Sequence, residues 1–177
     1  MFRDPTTRQC VAGAKGIDWV SGKQGFETAL VHSTGFPPMS KPQNRLQLME
    51  RFGATQLNDR WSWCAVNEAK REVFFSIWTD KVIMDAADTR YVLQEPHWGL
   101  NDATGMSKAA RHDQDNKFAL VFDQGYAAFG YFVVAKDTTA IPREIAETRT
   151  GFVMRMNLSK DAQGVIVGAP VERIEVR

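Results

Sequence analysis

The stretch that most restricts the fold is "DRWSWCAVNEAKREVFFSIWTDKV", residues 59–82. Two apolar runs, "RWSWCAVN" and "EVFFSIWTD", flank the charged tetrapeptide "EAKR". Alternation puts Trp61, Trp63 and Ala65 on one face of the first run, with Ser62, Cys64 and Val66 on the other. In the second run Val73, Phe75 and Ile77 share one face, and Phe74, Ser76 and Trp78 the other. Period-two patterning on both sides of a polar turn predicts a β-hairpin. Three tryptophans and two phenylalanines on so short a hairpin serve either as core or as a platform for a flat ligand.

The remaining pattern extends this hairpin into a sheet. "YAAFGYFVVAKD" reads as a strand buried on both faces, with Gly130 permitting close backbone approach. "GFVMRMNLS" and "GVIVGAPVERIEV" read as two closing strands joined by "KDAQG", and "RYVLQE" as a further short strand. Strands are therefore expected near 60–67, 72–79, 126–135, 151–158 and 165–176, all in one sheet. Two helices are expected. One starts at a Ser40 cap with Pro42 in its first turn, buries Leu46, Met49 and Phe52, and ends before Gly53. The other, "SKAARHDQDNKFALVF", carries Ala110, Phe118, Val121 and Phe122 near one stripe and stops at Gly125. Pro142 is expected to open a short helical turn, "PREIAET". Strands and helices do not alternate regularly, which argues against a doubly wound parallel sheet. The fold class is α+β: a mixed, mostly antiparallel curved sheet or open barrel of five to seven strands with flanking helices. Residues 1–41, rich in glycine and proline, read as an extended N-terminal arm, and 42–177 as the domain.

Composition narrows the function. The 177 residues suffice for one domain with a core. No apolar run approaches the length of a membrane helix, and "MFRDPTTRQC" lacks the apolar stretch of a signal peptide. Cys10 and Cys64 have no metal spacing and are too few for a disulfide framework; a reduced, cytoplasmic protein with no membrane partner is expected. The 22 basic and 21 acidic residues give a net charge of +1. A coat that neutralises nucleic acid along its length needs a larger basic surplus, although a local basic patch remains possible.

From about residue 44 to 176 the chain resembles a domain of bacterial restriction-type proteins, sometimes found beside an HNH nuclease. The resemblance rests on "RWSWCAV", the strand ending in "IWTDKV", "FDQGYAAFGYFVVAKD", "PREI" and "VERIEV". Such domains are similar to the PUA-like superfamily, whose EVE and SRA members bind nucleic acid and take a flipped, modified base into an aromatic pocket. The resemblance implies a PUA-like barrel, nucleic acid (DNA above RNA) as partner, and a nuclease as a possible second partner. Cys64 stands where the pattern has glycine, which implies a different neighbour over that strand. No nuclease domain accompanies the resemblance, so cleavage is not part of what it implies.

The candidate residues follow from the chemistry of base recognition. A base pocket needs planar side chains to sandwich the ring and a polar group for its edge. Trp61, Trp63, Trp78 and Trp98 supply planes, and Asp80, Ser62 or Asn67 an edge contact. Trp98, in the loop "PHWG", is the least core-like of the four. Arg111, Arg143 and Arg149 are candidates for phosphate contacts, with Arg155 behind them. Two other readings remain open. Asp59, Glu68 and Lys70 imitate part of a small metal-dependent nuclease, although "EAK" falls in a predicted turn. Alternatively all the aromatics are core and the chain is a plain protein-interaction domain. His112 and Asp115, with His97, are a weak ligand set for a metal. No nucleophile motif, phosphate-binding glycine loop or dinucleotide fingerprint occurs, and no cofactor is expected.

Overall fold

The computed structural model describes residues 41–85, 88–100 and 108–177. The expected arm, apart from Lys41, lies outside them. Seven strands form one sheet: β1 (Cys64–Asn67), β2 (Glu72–Trp78), β3 (Val82–Asp85), β4 (Asp88–Gln94), β5 (Ala127–Ala135), β6 (Ile145–Lys160) and β7 (Ile166–Glu175). Their order is β1-β2-β5-β6-β7-β4-β3. Only β2 and β5 run parallel; every other neighbouring pair is antiparallel. β2 and β4 touch although β5, β6 and β7 separate them in the sheet, so the sheet curls back on itself and stays open.

The alternation read from the sequence places each core. β2 shows why: Val73, Phe75 and Ile77 face inward, and Phe74 outward. The inner face joins them to Cys64, Val66, Leu93, Phe132 and Met156, and is closed at one end by Phe118 of α2 (Ala109–Phe122). The outer face gathers Ala65, Phe74, Phe129, Tyr131 and Val153 under α1 (Arg45–Arg51), which contributes Leu48 and Met49. The hairpin turn falls on Glu68–Arg71 as expected, with Arg71 at φ 55°.

Several local expectations are corrected. α1 begins at Asn44, not Ser40, because the Asn44 side chain accepts the Gln47 N–H at 2.9 Å. Pro42 therefore lies before the helix. Leu48 and Met49 are its buried residues, whereas Leu46 is 51% exposed. Its end matches the expectation: Gly53 at φ 62° and Ala54 return bonds to the Glu50 and Met49 carbonyls, closing the last turn. No helical turn follows Pro142; β6 starts at Ile145 and pairs with β5. β3 was not expected. Trp61 and Trp63 precede β1, whose first residue is Cys64.

Gly130 marks the tightest approach inside the curl. A Cβ there would lie 2.2 Å from Ile77 Cδ1 and 2.7 Å from Met156 Cε. Gly130→Ala should destabilise by about 1–3 kcal/mol in urea unfolding. Adding Ile77→Val, which deletes the nearest atom, should recover part of that loss; strict additivity of the two costs would refute the clash.

The outer core also predicts an alkaline response. Burial raises Tyr131 from 10.0 to about 12, against the pull of Arg45. Arg45 and Ser76 face its hydroxyl, but outside hydrogen-bonding geometry. A raised acid pKa favours the neutral folded form, so this stability is complete below pH 10 and lost as pH rises towards 12. Burial likewise raises Cys64 well above 9.0. Tyr131→Phe should be near neutral at pH 7 and should flatten the decline in the urea midpoint above pH 10.

Candidate nucleic-acid interface

The curled sheet distributes the eight expected residues over several places. Trp78, at the end of β2, packs against the outer core, and Arg143 lies over its ring at 5.5 Å. The same guanidinium holds both Asp80 oxygens, at 3.0 and 2.9 Å. Trp78, Asp80 and Arg143 therefore form one cluster, in which the aspartate edge and the basic contact occupy each other.

Trp63, Trp98 and Arg111 form a second cluster, beside α2. Arg111 Nη1 donates to the carbonyls of Glu95, Pro96 and Trp98 at 3.1, 3.2 and 2.8 Å. Its Nε donates to both Asp115 oxygens at 2.9 and 3.0 Å. One side chain, 14% exposed, thus fastens the turn after β4 to the helix. Gly99 completes the fit: at φ 67°, its missing Cβ would meet Arg111 Cβ at 2.8 Å and Trp63 at 3.3 Å. Trp98 is half-buried, with Lys81 Nζ 5.2 Å from its ring and Glu95 pairing that lysine at 3.0 Å.

The hairpin does not gather its tryptophans into one wall. Trp63 packs with the inner core and Trp78 with the outer, while Trp61 sits in the turn before β1. The period-two reading put Trp63 with Ala65; they separate because the strand begins only at Cys64. Arg149 stands apart on β6, exposed and without a carboxylate partner among the described residues.

A third group, absent from the sequence reading, lies on the inner face at the end away from α2. Tyr91 meets Phe132 edge-on at 5.1 Å, and Phe132 meets Phe152 at 5.6 Å. Arg173 stacks on Phe152 at 3.8 Å and pairs with Glu175 at 2.6 Å. Register places Arg149 opposite Phe132 and Arg173 opposite Met154, so both arginines share the face of these rings. The pairing of β4 with β7 stops at Tyr91 and Gly168, which leaves this corner of β7 paired to β6 alone among the described strands. Only the aromatic residues within the strand patterns hinted at it; their convergence comes from long-range pairing.

The metal and nuclease sets are not brought together. Asp59 lines an open groove of about 510 Å³ beside α1, whereas Glu68 accepts the Tyr126 hydroxyl at 2.7 Å on the hairpin turn. Asp115 is held by Arg111, and His97 lies 3.3 Å from Glu95. Among the described residues no three metal-binding side chains converge.

No protein-family model, curated protein or solved structure matches this chain. The described residues include no helix long and apolar enough to cross a membrane.

Arg111→Ala should cost about 2–3 kcal/mol, because it removes the guanidinium that Asp115 and three carbonyls share. Arg111→Lys should recover less than half of this, since an ammonium cannot reproduce the fork. Urea unfolding of the two variants decides; equal stability of Lys and wild type would remove Arg111 from this role.

Proposed function

We propose that this domain recognises nucleic acid without cleaving it, holding a base against the inner-face aromatic group. One observation carries the reading: half-buried Tyr91 and Phe152 meet across the buried Phe132 on the inner face, with Arg149 and Arg173 beside them. Aromatic planes bind any base by stacking, at about 1–3 kcal/mol each, and guanidiniums serve phosphate or stack themselves. Glu147, opposite Val134, and Glu175 add acceptors for exocyclic amino groups on the same face. Trp98 with Lys81 offers a peripheral contact. Arg111 and Arg143 serve here as structural cations, and the phosphate role passes to Arg149. DNA with a modified or extruded base is the substrate class that the resemblance favours.

Binding should be measured on single-stranded, duplex and base-modified oligonucleotides over a salt series. With a net charge of +1, few phosphates are contacted, and log affinity against log salt should fall with a slope of about −2 to −4 on duplex. Arg149→Ala should reduce that slope by about 1. Phe152→Leu, which keeps apolar bulk, should weaken binding by about 1–2 kcal/mol and leave the slope unchanged. Absence of binding to every oligonucleotide at low salt would end the proposal.

A further inference from the structure

The two borders of the sheet are treated differently. At one, Thr55 bridges Val66 and covers part of β1. At the other, β3 pairs with β4 on one side and with no described strand on the other. Edge strands are ordinarily protected by being very short, or by charge, proline or a bulge. β3 is short, but it exposes Val82 at 37% and Met84 at 77%, and its register with β4 is regular.

The direction of its free backbone groups follows from one bond. The Lys81 carbonyl accepts the Val92 N–H at 2.9 Å. Antiparallel pairing alternates, so the Lys81 carbonyl and the backbone groups of Ile83 and Asp85 turn towards β4, while the Lys81 N–H donates to the Trp78 carbonyl at 3.0 Å, and Val82 and Met84 turn their groups outward. The sequence from 81 to 85, "KVIMD", is also self-complementary when reversed. Pairing it with itself about Ile83 sets Lys81 against Asp85 and Val82 against Met84.

We propose that a second copy of this chain pairs on β3, antiparallel, about a two-fold axis through Ile83. In this register the outward N–H and C=O groups of Val82 in one copy meet those of Met84 in the other. The axis repeats the exchange, giving four backbone hydrogen bonds. The two apolar pairs lie between two Lys81–Asp85 pairs, one at each end, each added to the bonds these side chains already make with Glu95 and Arg90. Shifting the register by one residue would set Asp85 against Val82 or Lys81 against Met84, so charge selects this alignment. A five-residue ladder buries less than the roughly 800 Å² per partner of a standard interface, so the dimer should be reversible and micromolar. The proposal does not depend on the nucleic-acid reading.

Sedimentation velocity on the full 177-residue chain, from low micromolar to several hundred micromolar, should show a monomer–dimer equilibrium. Met84→Lys puts like charges into the centre and should raise the dimer Kd by about tenfold or more, with thermal unfolding unchanged. Asp85→Lys and Lys81→Asp should each sediment as monomers, because each sets like charges opposite one another at both ends. Mixed together they should form a heterodimer, since their end charges become complementary. If Lys81→Asp does not fold, Met84→Lys and Asp85→Lys decide. A wild-type chain that stays monomeric throughout overturns the proposal, as does a dimer indifferent to these substitutions.

Discussion

Two adjacent side chains in β2 hold both layers of this domain. Phe74 stacks on Phe129 of β5 at 5.1 Å and meets Phe52, at the end of α1, at 5.0 Å. Phe75, pointing the other way, stacks on Phe118 of α2 at 4.6 Å. Aromatic contacts of this kind add to an already large area of burial. Because β2 also pairs with β5 in parallel, the same seven residues fix both helices and the one parallel junction among the described strands. The inner-face rings, the Arg111 turn and the β3 border all take their positions from that arrangement.

α2 packs in an unusual manner for a helix over an apolar face. Its buried residues are Asp113, Gln114 and Phe118, so one aromatic anchor is accompanied by two polar groups. Gln114 donates to the Leu93 carbonyl at 3.3 Å and accepts from Gln94 at 3.2 Å, and Gln94 also donates to Asp115 at 2.9 Å. Buried polar contacts add little net stability, but they penalise misplacement because each group would then lose its partner. Phe118 supplies attraction without direction. The amide network and Arg111 determine how far along the sheet the helix sits, and hence where Trp98 is presented.

Much of the scaffold was legible because local rules decide it. Alternation in "EVFFSIW" and "AAFGYFVVA" fixed strands and faces, and Gly53 ended α1 where a left-handed residue was needed. Misreadings arose where two local signals competed or none existed. Asn44 and Ser40 are both good caps, and only the bond to Gln47 distinguishes them. Alternation was carried back over Trp61, Ser62 and Trp63, before β1 begins at Cys64, and so misassigned Trp63. β3 has four residues and little pattern of its own. The site was legible in residue type more than in place. Arg111 and Asp115 were visible at helical spacing, but the three carbonyls that Arg111 gathers were not. Tyr91, Phe152 and Arg173 come from three strands whose meeting no local pattern encodes.

The strand order also bears on how the domain is made. β7 is the last of the described strands, yet it lies between β6 and β4 and is, among the described strands, the sheet link for the β3–β4 hairpin. During synthesis, that hairpin has no sheet to join until β7 has left the ribosome. Until then its apolar border and the inner-face rings are uncovered together, a condition in which growing chains are prone to associate wrongly. The parallel junction adds delay, since Glu72 must find Ala127 across the intervening chain. Assembly of the sheet is thus postponed until β7 has been made. β7, which in the finished sheet is one interior strand among several, is the part of the sequence whose arrival lets the sheet close.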